Sequence, residues 1–164
     1  MQTFEQASLL ARLVDRDLVL QQTQRFVRAP KVPQALNPML DTWDDSFRDW
    51  GDQAVPADAP ALVAAAGQQY YRLRRYDDAP AGTVIAAATP RYRGKVYVLV
   101  DSTCSSATFQ FAHACKQNGL ATIVGQPTGG NQRGINGGAF FFLRLPNSRL
   151  EVDLPLIGAF PDGT

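Results

Sequence analysis

Ser102, Thr103, Ser105, Ser106 and Thr108 follow directly on the apolar run Val96–Val100 and lead directly into Phe109, Ala112, Cys115 and Lys116, spaced as on a helix that Gly119 ends. The pattern is strand, tight turn, helix, with hydroxyls gathered at the helix N-terminus. A serine placed there lies beside free backbone N–H groups and the positive end of the helix dipole. Acyl transfer needs such surroundings, because negative charge builds on the attacked carbonyl oxygen. Helix capping is the plainer use of a hydroxyl at this position. Capping takes only one hydroxyl, and this turn supplies more.

Other reactive residues are sparse. His113 is the only histidine and lies seven residues after Ser106, which on a helix is two turns, ~10 Å. That is beyond direct hydrogen bonding, so a Ser-His-Asp triad built within this chain is not expected. Gly125–Gly138 is rich in glycine and follows a second apolar run, Ala121–Val124. α/β sheets bind ligands beyond the carboxyl ends of such strands. The run lacks the Gly-Lys-Ser/Thr ending of a phosphate loop, and an ordinary flexible turn is the simpler account. Asp41, Asp44, Asp45 and Asp49 lack the spacing of a calcium loop and read as a solvated loop. Cys104 and Cys115 fit neither a disulfide framework nor a zinc pattern, and read as small buried hydrophobes. No metal or cofactor is expected.

The elements that must position the serines follow from periodicity. Phe4, Ala7, Leu10, Ala11 and Val14 predict an amphipathic helix over 4–16. Leu18–Leu20 and Val84–Ala88 read as short strands, and 61–73 as a second helix. Prolines at 30, 33, 38, 56 and 60 exclude a long helix in 29–60. That segment reads as an irregular surface excursion pinned by Trp43, Phe47 and Trp50. Val96–Val100 lacks alternation, so it is expected to be buried on both faces. Ser106–Asn118 is the next helix, and Ala121–Val124 a buried strand parallel to Val96–Val100. Gly129–Gly138 is expected to be a loop bordering the same cleft as Ser106. Ala139–Leu145 and Leu150–Leu156 read as an antiparallel pair turning at Pro146-Asn147-Ser148.

The 164 residues are 45% apolar with a formal net charge of +1, enough for one domain with a sizeable core. No basic stripe points to nucleic acid, and no apolar run has the length of a membrane span. The start, Met1-Gln2-Thr3-Phe4-Glu5, lacks the basic and apolar regions of a signal peptide. The texture of both ends reads as a segment of a longer protein.

The stretch from Gly94 to about Pro161 resembles the serine peptidase family of the C-terminal processing proteases and the tricorn core protease. The matching residues are Val96-Tyr97-Val98-Leu99-Val100-Asp101, Cys104-Ser105-Ser106-Ala107-Thr108, Phe111-Ala112 and Gly119-Leu120-Ala121-Thr122-Ile123-Val124-Gly125-Gln126-Pro127-Thr128-Gly129-Gly130. Leu40-Asp41-Thr42-Trp43-Asp44, within 9–50, is similar to the region preceding this core in bacterial relatives, less distinctively.

The resemblance implies an α/β fold of the crotonase and Clp protease kind. That is a spiral of ββα units, present here as a partial domain with parallel strands and a C-terminal antiparallel pair. It makes 1–164 one incomplete catalytic domain, with 94–157 as the nucleophile-bearing core. It implies peptide-bond hydrolysis through an acyl-enzyme on Ser106, Ser105 being chosen only with an insertion in the helix. The Ala107 N–H would donate to the oxyanion, and Gly129, Gly130 and Asn131 would border bound peptide. The second oxyanion donor of relatives, an Arg-Gly-Asn and Gly-Gly segment, would lie upstream of Met1.

Two departures qualify the match. Asn131 stands where processing proteases carry a lysine base, and an amide cannot take the serine proton. Gln117 stands where some relatives carry aspartate. The Gly129-Gly130 loop is closer to the tricorn branch, whose base is a histidine from an earlier part of the protein, so the isolated chain is expected to be nearly inactive. Relatives are often exported. The same fold also binds lipid without catalysis in retinoid-binding proteins of the eye, and an interaction domain with a decayed site is a further alternative. Substrate preference, oligomeric state and compartment are not legible.

Overall fold

The computed structural model describes residues 2–20, 23–58, 67–76 and 83–161. In chain order its elements are α1 (Gln2–Leu13), β1 (Leu18–Leu20), β2 (Thr23–Val27), β3 (Leu40–Asp41), β4 (Ala54–Ala57), β5 (Tyr70–Leu73), β6 (Thr83–Ile85), β7 (Tyr97–Val100), α2 (Ser106–Gln117), β8 (Thr122–Gly125), β9 (Ile135–Arg144) and β10 (Glu151–Pro161). The class is mixed α/β, with few helices and mostly antiparallel sheet. The chain divides into two compact units, Met1–Gln22 with Ala81–Gln132, and Thr23–Pro80 with Arg133–Thr164.

In the first unit β1 pairs antiparallel with β6, from Leu18 opposite Ile85 to Leu20 opposite Thr83. β7 pairs parallel with β8, Tyr97 opposite Thr122 and Val100 opposite Gly125. The parallel pairing expected of these two runs is thus present, with α2 as the crossover. The apolar faces of the two helices supply the core: Leu10 and Val14 pack with Leu18, Ile85, Ala114 and Cys115. The last carbonyls of α1, which a helix cannot satisfy itself, are taken by loop amides. Ala88 N–H donates to Ala11 and Tyr92 N–H to Arg12, at 2.7 and 2.8 Å. Gly119 ends α2 in the left-handed region at φ +63, and the Leu120 amide closes back on the Cys115 carbonyl at 2.9 Å.

Burial of β7 and β8 departs from expectation. Tyr97 and Leu99 are 60% and 76% exposed and Val124 is 42% exposed, while Val98 and Ile123 are half-buried and Val100 is buried. A continuous apolar run usually marks a strand covered on both faces. Here Ile123 packs into the helix-lined core, and the alternate residues stay open to solvent.

The second unit is a six-stranded sheet in the order β3-β9-β10-β2-β5-β4, antiparallel at every pairing. The C-terminal hairpin runs from Glu151 opposite Arg144 to Ala159 opposite Ile135, with an irregularity between Pro155 and Ile157. It therefore takes in Ile135–Gly138, which the glycine content marked as loop. Tyr70–Leu73, expected to be helical, is a strand held between β2 and β4; 61–66 lie outside the described residues. The proline-rich segment is built of short 3-10 turns at Gln34–Met39, Asp45–Arg48 and Gly51–Gln53. Phe47 and Trp50 stack at 5.4 Å and join Val27, Leu40, Leu73, Ala139, Phe141 and Ile157 in the core. Two of the three aromatics thus fasten the segment to the core. Trp43 is 60% exposed.

Candidate active site

The turn between β7 and α2 is organised by Asp101. One oxygen of its carboxylate accepts from the Thr103 amide at 2.9 Å and the Thr103 hydroxyl at 2.6 Å. It also accepts from the Cys104 thiol at 3.6 Å. The Cys104 amide donates to the Asp101 carbonyl at 3.1 Å. The Thr103 hydroxyl first, then the Thr103 amide, hold the Asp101 carboxyl below its usual range. Cys104 is half-buried and engaged in this turn, whereas Cys115 is fully buried and its thiol is pushed up by burial.

From this anchored turn the chain enters α2 abruptly. Ser105 is extended at φ −129, and its side chain makes no capping hydrogen bond. Ser106, the first residue of α2, has φ 51. An L-residue at positive φ brings Cβ against the following carbonyl and costs roughly 1–2 kcal/mol. Such strain persists only where the surroundings impose it. The geometry matches the sharp strand-to-helix elbow that presents a nucleophile at the end of a strand. Ser106 is solvent-exposed. Ala107 follows within the first turn, where a helix cannot satisfy its own N–H groups.

The glycine-rich loop is fastened to this elbow. Gln126 N–H donates to the Val100 carbonyl at 3.0 Å, and Gly129 N–H to the Cys104 carbonyl at 3.1 Å. A Cβ on Gly129 would stand 2.5 Å from the Ser102 carbonyl oxygen, and one on Gly130 would overlap the Phe109 ring. Gly125, at φ +127, leaves no room for a Cβ beside the Val100 carbonyl. The structure therefore brings Gly129 and Gly130 to the turn that carries Ser106 and Ala107. Asn131 follows at once and is exposed.

His113 stacks on Phe109, ring centroids 5.7 Å apart and interplanar angle 16°, so it is a packed residue of α2. Asp41, Asp44, Asp45 and Asp49 are exposed. Asp44 caps the Ser46 amide, Asp45 pairs with Arg48, and Asp49 pairs with Lys31. Among the described residues no cluster of acidic, histidine or cysteine side chains could hold a metal ion, and no helix is long and apolar enough to cross a membrane. Asp101 is the residue that sequence reasoning passed over. Its signal was present: an aspartate two residues before a threonine, directly after a strand, is the pattern of an Asx turn.

A serine at positive φ, a first-turn amide and a close glycine loop thus lie together where β7 passes into α2. The model of Peptidase family S41 matches residues 5–141, and the chain belongs to that family of peptidases. No curated protein and no solved structure matches the chain significantly.

Proposed function

We propose that these 164 residues form the nucleophile-bearing part of a serine peptidase catalytic domain of the tricorn-like type, folded as part of a crotonase-like ββα spiral. Residues 94–157 are its core. The observation that carries the reading is the backbone of Ser106 at φ 51, a strain that capping does not require and that no side-chain cap accompanies. The parallel β7–α2–β8 unit supports the spiral.

In this reading Ser106 Oγ attacks the peptide carbonyl carbon and gives its proton to a base supplied from outside these residues. The Ala107 N–H and a second external donor stabilise the oxyanion. The C–N bond breaks, and the leaving amine takes the proton from the base. Water then attacks the acyl-enzyme and gives a proton to the same base, which returns it to Ser106 Oγ as the acyl C–O bond breaks and the carboxylic product leaves. Gly129 and Gly130 admit the substrate backbone closely because they carry no side chain. Asn131 shapes the pocket without acting as a base.

Imidazole added to the solution can stand in for the missing base. With imidazole present, a peptidyl fluorophosphonate should label the chain on Ser106, as read by peptide mapping in a mass spectrometer. Labelling should vanish in Ser106→Ala and persist in Ser105→Ala. Equal labelling of Ser106→Ala, or an adduct on Ser105, would overturn the assignment. An inert Ser106 together with saturable binding of a lipid would favour the ligand-binding alternative.

A further inference from the structure

The outer face of the six-stranded sheet carries a second feature, unrelated to Ser106. Phe142 lies opposite Asp153 of β10 on one side and opposite Asp41 of β3 on the other. Directly paired residues share a face, so an aromatic ring stands in a row between two carboxylates. Phe140, two residues back on β9, shares that face. Trp43 completes the surface, with its ring 5.6 Å from Phe140 and 5.5 Å from Phe142.

Trp43 is exposed but not loose. It meets buried Phe47 edge-on at 6.0 Å, and the neighbouring Thr42 hydroxyl donates to the Phe140 carbonyl at 3.0 Å. An exposed tryptophan held in place from below is a preformed contact surface. Two cations near these strands are already engaged, Arg144 with Glu151 and Arg48 with Asp45. Among the described residues no ion pair engages Asp41 or Asp153. Asp41 accepts one hydrogen bond, from the Thr42 amide.

We propose that Trp43, Phe140 and Phe142, bracketed by Asp41 and Asp153, form a docking surface for a peptide segment carrying an arginine or lysine side chain. The cationic head would lie over the π faces, attracted by the ring quadrupoles. The two carboxylates would accept its N–H groups in charge-assisted hydrogen bonds. The aliphatic stem would cover the remaining apolar area. A neutral apolar partner would leave both carboxylates against an uncharged surface, and an acidic one would be repelled.

The test is a titration of the 164-residue chain, followed through the Trp43 indole N–H by NMR. The ligands are three capped pentapeptides, Gly-Leu-X-Leu-Gly, with X arginine, norleucine or glutamate. The arginine peptide should shift the Trp43 signal saturably, the norleucine peptide should bind about tenfold more weakly or less, and the glutamate peptide should not bind. Trp43→Ala removes the reporter, so its affinity is read by isothermal titration calorimetry against the unsubstituted chain, and arginine-peptide binding should weaken about tenfold. Trp43 also packs on Phe47, so Asp41→Asn with Asp153→Asn serves as the second variant. It keeps shape and fold, verified by circular dichroism, and should lose both the arginine preference and the salt dependence of binding. The proposal is overturned if no peptide binds, if the glutamate peptide binds as well as the arginine peptide, or if the double variant keeps the arginine preference. It is also overturned if the Trp43 signal moves with protein concentration alone, which would make the surface a contact between two copies.

Discussion

The amide of Gly129 donates to the carbonyl of Cys104 at 3.1 Å, so the loop after β8 is tied to the turn before Ser106. Parallel pairing of β7 and β8 makes this possible, because both strands end on the same edge. The elbow and the glycine loop are therefore one local structure, and substitutions in either should be felt by the other.

Gly130→Val would drive its side chain into the Phe109 ring. Overpacking of this kind costs about 1–3 kcal/mol. The ring is one neighbour that can be trimmed, so Phe109→Ala should recover part of the loss. A double-mutant cycle by urea denaturation is expected to give a coupling of about 1 kcal/mol. Strict additivity would mean that the two residues do not meet.

Gly125→Ala should be harsher. The new Cβ meets the backbone oxygen of Val100 in a conformation that L-residues rarely adopt, and no side-chain rotation relieves it. A loss of about 3 kcal/mol or more is expected, read as a large fall in the urea midpoint or in soluble yield. A near-neutral variant would contradict the close approach of the two strand ends.

Ser106→Gly should stabilise the chain, by about 1 kcal/mol, because glycine adopts positive φ without penalty. Ser106→Ala removes the same hydroxyl but keeps the Cβ, so it should show no such gain. A higher Tm for the glycine variant than for the alanine variant checks this. Equal Tm values would mean that Ser106 carries no backbone strain in solution.

Asp101 supplies a pH prediction with a definite sign. Its carboxyl is held low by the Thr103 hydroxyl and amide. A group whose folded-state pKa is depressed contributes stability that is present above its unfolded pKa, ~3.9. That contribution is lost as pH falls through the lower folded value. The Thr103 amide resonance should therefore report a transition below the ordinary aspartate range. In Asp101→Asn the transition should disappear, while the turn loses its charged acceptor. A midpoint at or above the ordinary range would remove Asp101 from its role as anchor.

The local chemistry of the sequence determined several elements on its own. Helical spacing from Ala7 to Val14 specified α1, and Gly119 specified the end of α2, because periodicity and capping act within a few residues. The switch from apolar run to hydroxyls to helix located the elbow for the same reason. The hairpin of β9 and β10 was likewise legible from two strand-like runs joined at the turn residues Pro146-Asn147-Ser148.

Only the tertiary structure decided the rest. Tyr70–Leu73 is a strand because β2 and β4 offer hydrogen-bond partners on both sides, a preference set by neighbours rather than by its own residues. Ile135–Gly138 joins β9 because β10 is long enough to pair with it, despite its two glycines. Phe47 and Trp50 enter a core while Trp43 remains outside, which the spacing of three aromatics among prolines does not distinguish. The left-handed backbone of Ser106 is likewise invisible in its letters. It arises where a turn locked by Asp101 meets a helix whose direction is set by packing against α1 and β8, and strain of that kind exists only when distant contacts over-determine one residue.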